Sequence, residues 1–82
     1  MGIHNTKYVV TYIEYGDGVD GRPRALGIYD TREEAEKAIE EDMETYGMNN
    51  FGIYYIEDWC VWSSPRDKWK NGCAWNINEV AA

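Results

Sequence analysis

The pattern of apolar and polar positions predicts one helix in the stretch from Tyr29 to Gly47, YDTREEAEKAIEEDMETYG. Four apolar residues recur there at intervals of three and four, the spacing of one stripe along a helix. They are Ala35, Ile39, Met43 and Tyr46. Asp30 or Thr31 can cap the first turn, because a glutamate follows each of them by three residues as in a capping box. Gly47 is expected to end the helix in the left-handed conformation.

The segments on either side of this helix predict four β-strands. Each is rich in β-branched and aromatic residues, and glycine-containing turns separate them. They are Lys7–Tyr15, Arg24–Tyr29, Phe51–Trp62 and Cys73–Val80. The third is long, so a bend or bulge is expected at Glu57–Asp58. In the fourth, Trp75 and Ile77 are expected to face inward.

The element order ββαββ predicts an α+β domain with a four-stranded antiparallel sheet and the helix on one face. We expect the spatial strand order 2-1-3-4, because it places the most apolar strand inside. The 82 residues suffice for one domain, with residues 1–6 frayed. The chain has four Trp, seven Tyr and one Phe, too many rings for one small core, so Tyr and Trp should form an exposed patch on the face away from the helix.

Charge is concentrated on the predicted helix. The chain carries a net charge of −7, and between Arg32 and Glu44 there are seven acidic residues against two basic ones. The face opposite the apolar stripe carries Glu33, Glu36, Glu40, Glu41 and Glu44. This face is either a solvated helix surface or a selected negative surface that binds a protein partner with a basic surface.

The two cysteines do not indicate a disulfide framework. We expect Cys60 and Cys73 to be reduced structural thiols, with a single bridge across a hairpin as the alternative. Met1–Tyr8 has no apolar core of a signal peptide, and no run is apolar enough to span a membrane. These observations predict a cytoplasmic protein.

Catalytic and ligand-binding signatures are sparse. His4 is the only histidine and lies in the segment expected to fray, so no Ser/His/Asp or Cys/His arrangement is predicted. Glu57 and Asp58 are adjacent in a predicted strand and would point to opposite faces. Asp17 and Asp20 in DGVDG lack the ligand spacing of a calcium loop and predict a turn. The sequence therefore predicts no catalytic residue, no cofactor and no metal site.

One loop is locally basic. In PRDKWK, three basic residues surround Trp69: Arg66, Lys68 and Lys70. Such a group can hold a phosphate and stack a base, but a net charge of −7 repels nucleic acid, which favours either a protein contact or a plain solubilising loop. Trp62 and Trp69 are the aromatic candidates for that contact.

The segment Leu26–Ile39, LGIYDTREEAEKAI, resembles small stand-alone acidic proteins of phages and gut bacteria, in which a hairpin leads through Y-x-T-x-E-E-A into a helix. Some proteins of this kind inhibit host defence nucleases, as anti-CRISPR proteins do. The resemblance implies a non-enzymatic protein-binding domain that inhibits a nucleic-acid-handling complex. The alternative is a small oligomeric structural or housekeeping domain, such as a homodimer that covers its own aromatic face.

Overall fold

The computed structural model describes residues 6–81 and has the predicted α+β class, with one helix and a five-stranded antiparallel sheet. The elements are β1 Thr6–Tyr15, β2 Arg24–Tyr29, α1 Arg32–Asn50, β3 Tyr55–Glu57, β4 Cys60–Trp62 and β5 Gly72–Ala81. His4 lies outside the described residues, as does most of the segment expected to fray. Thr6 is the exception, because it opens β1 and pairs with Ala81.

The predicted strand order 2-1-3-4 is wrong. The observed order is β2-β1-β5-β4-β3, so the last strand of the chain, and not the third predicted one, lies beside β1. β1 and β5 pair along ten residues each, from Thr6↔Ala81 to Tyr15↔Gly72. This long uninterrupted pairing satisfies more backbone groups than the bent third segment could, which explains why β5 occupies the centre of the sheet.

The predicted third strand is a short hairpin at the edge of the sheet. Asp58 and Trp59 have φ angles of 51° and 58°, and the flanking residues Glu57 and Cys60 pair with each other. Two consecutive residues with positive φ form the turn type whose twist suits a two-residue hairpin. The bend expected at Glu57–Asp58 is therefore a complete chain reversal, and the predicted four strands become five.

Thr31, of the two candidates, caps the N-terminus of α1. Its hydroxyl oxygen accepts a hydrogen bond from the backbone N–H of Glu34 at 3.2 Å. The prediction that Gly47 ends the helix is wrong, because α1 continues to Asn50. The left-handed position is taken by Gly52, with a φ of 73°, and the N–H groups of Phe51 and Gly52 both donate to the carbonyl of Gly47.

Gly47 is present for close packing. A Cβ at this position would lie 2.4 Å from a ring carbon of Tyr54, so the ring rests directly on the helix backbone. Any larger residue would displace it. The ring contact thus explains why a glycine occurs in the last turns of the helix. Without such a role, a glycine there would only destabilise the helix, by about 1 kcal/mol relative to alanine.

The core lies between α1 and one face of the sheet, which we call the helix side. Its buried members are Val10, Ala35, Ile39, Met43, Val61, Cys73 and Trp75. Trp75 faces inward as predicted, and its indole N–H donates to the Asp42 carboxylate at 2.9 Å. Tyr8 and Tyr12 pack against the same core, so these two rings of β1 do not contribute to a patch on the opposite face.

The single helix of residues 6–81 is not long and apolar enough to cross a membrane.

Candidate functional site

A row of residues crosses the sheet on the face away from the helix, which we call the open side. The pairings Tyr15↔Gly72, Gly72↔Trp62 and Trp62↔Tyr55 place these four residues side by side on that face. The rings of Tyr55 and Trp62 stack with centroids 5.9 Å apart. Gly72 leaves room for the Tyr15 side chain, because a Cβ there would lie 2.6 Å from the Tyr15 hydroxyl.

The loop between β4 and β5 completes this row. The Tyr15 hydroxyl donates a hydrogen bond to the Lys68 carbonyl, and the Trp69 ring packs on the Tyr15 ring at 5.7 Å. The Asp67 carboxylate accepts from the backbone N–H of Trp69 at 2.9 Å, which holds the turn. The Lys68 ammonium lies 6.0 Å from the Trp62 ring centroid and 5.2 Å from that of Trp69. We call Tyr15, Tyr55, Trp62, Lys68 and Trp69 the aromatic surface.

The structure thus places the predicted residues Trp62 and Trp69 within 6.0 Å of the same lysine ammonium. Trp69 is 65% exposed, which is unusual for the largest apolar side chain. The exposed aromatic patch predicted for the open side is confined to this end of the sheet. Polar side chains that hydrogen-bond to each other lie at the centre of that face. The Asn78 amide there donates to the Thr11 hydroxyl at 3.1 Å.

Sequence reasoning missed Tyr15 and Tyr55 as members of this surface. The wrong strand order separated β1 from β5 and so hid the row that joins them. A glycine in a strand commonly marks the close approach of another group, so Gly72, at the end of the turn signal Asn71–Gly72, was the available clue.

Most of the glutamates of α1 are exposed to solvent. Glu33, Glu40 and Glu44 are exposed on the side turned away from the sheet, and within residues 6–81 none of the three forms an ion pair. Glu36 lies beside them and pairs with the Arg32 guanidinium at 3.2 Å. We call these four the acidic helix face. Glu41 is also exposed, beside the acidic helix face, and it lines a groove between α1 and β2.

The two thiols are free and buried, and they project to opposite faces of the sheet. Cys60 pairs with Ala74 and Val61 pairs with Cys73, so the two cysteines are one residue out of register. The alternative of a Cys60–Cys73 bridge is therefore excluded by the geometry. Burial, followed by the nearby Glu14 and Asp42 carboxylates, raises the pKa of Cys73 to about 12. A thiol with this pKa is a poor nucleophile at neutral pH.

The loop that holds Asp17 and Asp20 is a turn. Val19 donates its N–H to the Gly16 carbonyl at 3.4 Å, and the Asp20 carboxylate pairs with Arg22 at 3.0 Å. Among residues 6–81 no three His, Cys, Asp or Glu side chains come together as a metal site.

Alkaline pH should destabilise the fold. Burial is the main cause that raises the pKa of Tyr15 and of Cys73 to about 12, and it also raises the pKa of Tyr46. These groups keep their protons in the folded chain after the unfolded chain has lost them. Their contribution to the free energy of unfolding is therefore complete below about pH 9, and it disappears as the pH rises towards 12. Urea unfolding at intervals from pH 7 to pH 11 should show a falling free energy of unfolding above pH 9.

The Tyr15→Phe variant provides the control for this pH dependence. It lacks one of the titrating groups, so its free energy of unfolding should fall less steeply with pH than that of the parent chain. Equal stability of the parent at pH 8 and pH 11 would contradict the assignment of these buried groups.

Residues 6–70 match the model of a family described as a domain of unknown function, DUF7336. The match runs from the start of β1 to the loop that carries Trp69, and so includes the helix and all of the aromatic surface. No curated protein and no solved structure matches the chain. Because the match spans well over half of the 82 residues, the chain belongs to the DUF7336 family.

Proposed function

We propose that the chain is a non-enzymatic, cytoplasmic protein-binding domain that contacts its partner through the aromatic surface. The observation that carries this proposal is the exposed Trp69 ring, which packs on the Tyr15 ring and lies 5.2 Å from the Lys68 ammonium. Tryptophan is enriched among the residues that dominate the binding energy of interfaces. A ring already fixed by its neighbours loses little further conformational entropy when a partner covers it.

The acidic helix face gives the partner a chemical character. Three exposed carboxylates without ion pairs within residues 6–81 create a negative potential that attracts basic surfaces over a distance. The face lies on the other side of the molecule from the aromatic surface. A partner that wraps around the domain, or a complex with a basic cleft, would contact both. This supports the role implied by the resemblance to phage proteins, which is inhibition of a nucleic-acid-handling complex.

The test is capture of a partner from the native host with the tagged chain, followed by measurement of its affinity for variants. Trp69→Ala should weaken binding by about tenfold, because it removes a central ring from the interface. Ile53→Ala is the matched control, since Ile53 is also apolar and is 77% exposed but lies outside the aromatic surface. Equal affinities of the parent chain and the Trp69→Ala variant would refute the proposed contact.

Sedimentation of the isolated chain separates this function from the alternative of an oligomeric domain. A homodimer that covers its own aromatic surface should dissociate in the Trp69→Ala variant and persist in the Ile53→Ala variant. A parent chain that sediments as a monomer at high concentration leaves the aromatic surface available to another protein.

A further inference from the structure

A second surface lies at the opposite edge of the sheet. We propose that the groove between β2 and α1 binds an extended partner segment, which adds to the edge of β2 and places a lysine or arginine side chain in the groove. This surface is distinct from the aromatic surface and from the acidic helix face.

β2 offers the backbone groups for such an addition. It is the first strand in the order β2-β1-β5-β4-β3, and within residues 6–81 no strand pairs with its outer side. Arg24 at its start is the only charged residue of β2, so the rest of the strand lacks the charged side chains that commonly block edge pairing. An extended segment that pairs there gains main-chain hydrogen bonds independently of its sequence.

The groove beside this edge is lined by apolar and acidic side chains together. Two adjoining open depressions of about 250 and 410 Å³ lie on the surface where β2 meets α1. Their lining comprises Leu26 and Tyr29 from β2 and Glu34, Lys37, Ala38, Glu41, Asp42 and Thr45 from α1. Small residues, Ala38 and Thr45, leave space between the acids, so a long side chain from an added strand can lie against the helix.

Gly27 shapes the strand side of the groove. A Cβ at Gly27 would lie 2.8 Å from the Tyr29 hydroxyl and 3.1 Å from its ring, so the Tyr29 side chain lies back across the glycine. The ring therefore presents an apolar surface towards the helix. Aliphatic stems of lysine and arginine pack well on such a surface while their charged ends reach polar groups.

Charge determines which occupant fits. Three carboxylates line the groove, those of Glu34, Glu41 and Asp42, against the single ammonium of Lys37. Asp42 is already engaged by the Trp75 indole, which leaves Glu34 and Glu41 to meet a basic end group. A second copy of this chain would bring its own net charge of −7 to this edge. The groove therefore suits a basic segment of a different protein.

The probe is a capped eight-residue peptide of alternating valine and lysine, titrated into the isotope-labelled chain and followed by amide shifts and hydrogen exchange. The peptide should shift and protect the β2 amides. Glu34→Gln combined with Glu41→Gln should weaken its binding by about tenfold. Glu33→Gln combined with Glu40→Gln, which removes the same charge from the outer side of α1, should leave the affinity within about twofold.

Backbone methylation of the peptide distinguishes strand addition from simple charge attraction. Methyl groups on one alternate set of peptide nitrogens should abolish binding, while methyl groups on the other set should not, because only every second N–H of an added strand points towards its neighbour. Equal binding of the two methylated peptides overturns the proposal, as does no binding at millimolar concentration or an equal loss in both glutamine variants. Trp69→Ala should leave peptide binding unchanged, so this test stands apart from that of the aromatic surface.

Discussion

Replacing Ile39 by alanine should lower the free energy of unfolding by about 2–5 kcal/mol, or abolish the cooperative transition altogether. Ile39 is fully buried at the middle of α1 and belongs to the same core cluster as Val10 and Val61. Removal of its side chain leaves a cavity where the helix meets the sheet. A domain of this size has only about 5–10 kcal/mol of net stability, so the loss is a large part of the total.

Ile28→Ala is the matched control for that change. The same atoms are removed, but Ile28 is 68% exposed on the open side of the sheet. Ile28→Ala should lower the free energy of unfolding by no more than about 0.5 kcal/mol. Urea unfolding followed by circular dichroism compares the two variants directly. Similar losses in both would mean that α1 does not cover the sheet in the way described, and the positions of the acidic helix face and the groove would then also be wrong.

The start and period of α1 could be predicted because local chemistry determines them. The threonine cap, the glutamates after it and the apolar stripe all act within a few residues of each other. The end of the helix could not be predicted, because Gly47 makes room for the ring of Tyr54, seven residues further along the chain. A glycine at a helix end and a glycine beneath a ring have the same sequence signal, and only the packing separates them.

The strand order depended on a feature that periodicity does not reveal. Phe51–Trp62 has the composition of one long strand, but Asp58 and Trp59 adopt positive φ and reverse the chain. Neither residue is a glycine, so the usual turn signal was missing. The aromatic surface exists because the chain reverses there and because β5 lies between β4 and β1. Trp62 and Trp69 could therefore be singled out by type, while their shared contact with Lys68 could not be predicted.

Replacing Glu36, Glu40 and Glu44 together by glutamine should slow association with a basic partner by roughly 10- to 100-fold at low ionic strength. Three carboxylates of the acidic helix face disappear, and with them much of the potential that attracts the partner before contact. The dissociation rate should change much less, because exposed charges at the rim of an interface act mainly on encounter. Stopped-flow or surface-based kinetics at several salt concentrations would measure both rates.

The fold should tolerate this triple change. Glutamine has nearly the helix propensity of glutamate, and the pairs Glu36–Glu40 and Glu40–Glu44 repel each other at a spacing of four residues. The ion pair between Glu36 and Arg32 is exposed and contributes little, and Arg32 retains Glu79 at 3.5 Å. The melting temperature should therefore remain the same or rise slightly, so a slower association can be assigned to charge and not to unfolding.

A second triple variant separates a local surface from the overall charge. Asp17→Asn, Asp20→Asn and Glu57→Gln together remove the same three charges from exposed positions away from α1. Attraction by the acidic helix face predicts that this variant keeps most of the association rate and its steep salt dependence. An equal slowing in both variants would show that only net charge matters. An unchanged rate in the helix variant would make the acidic helix face a solvated surface, and the aromatic surface would then carry the proposed contact alone.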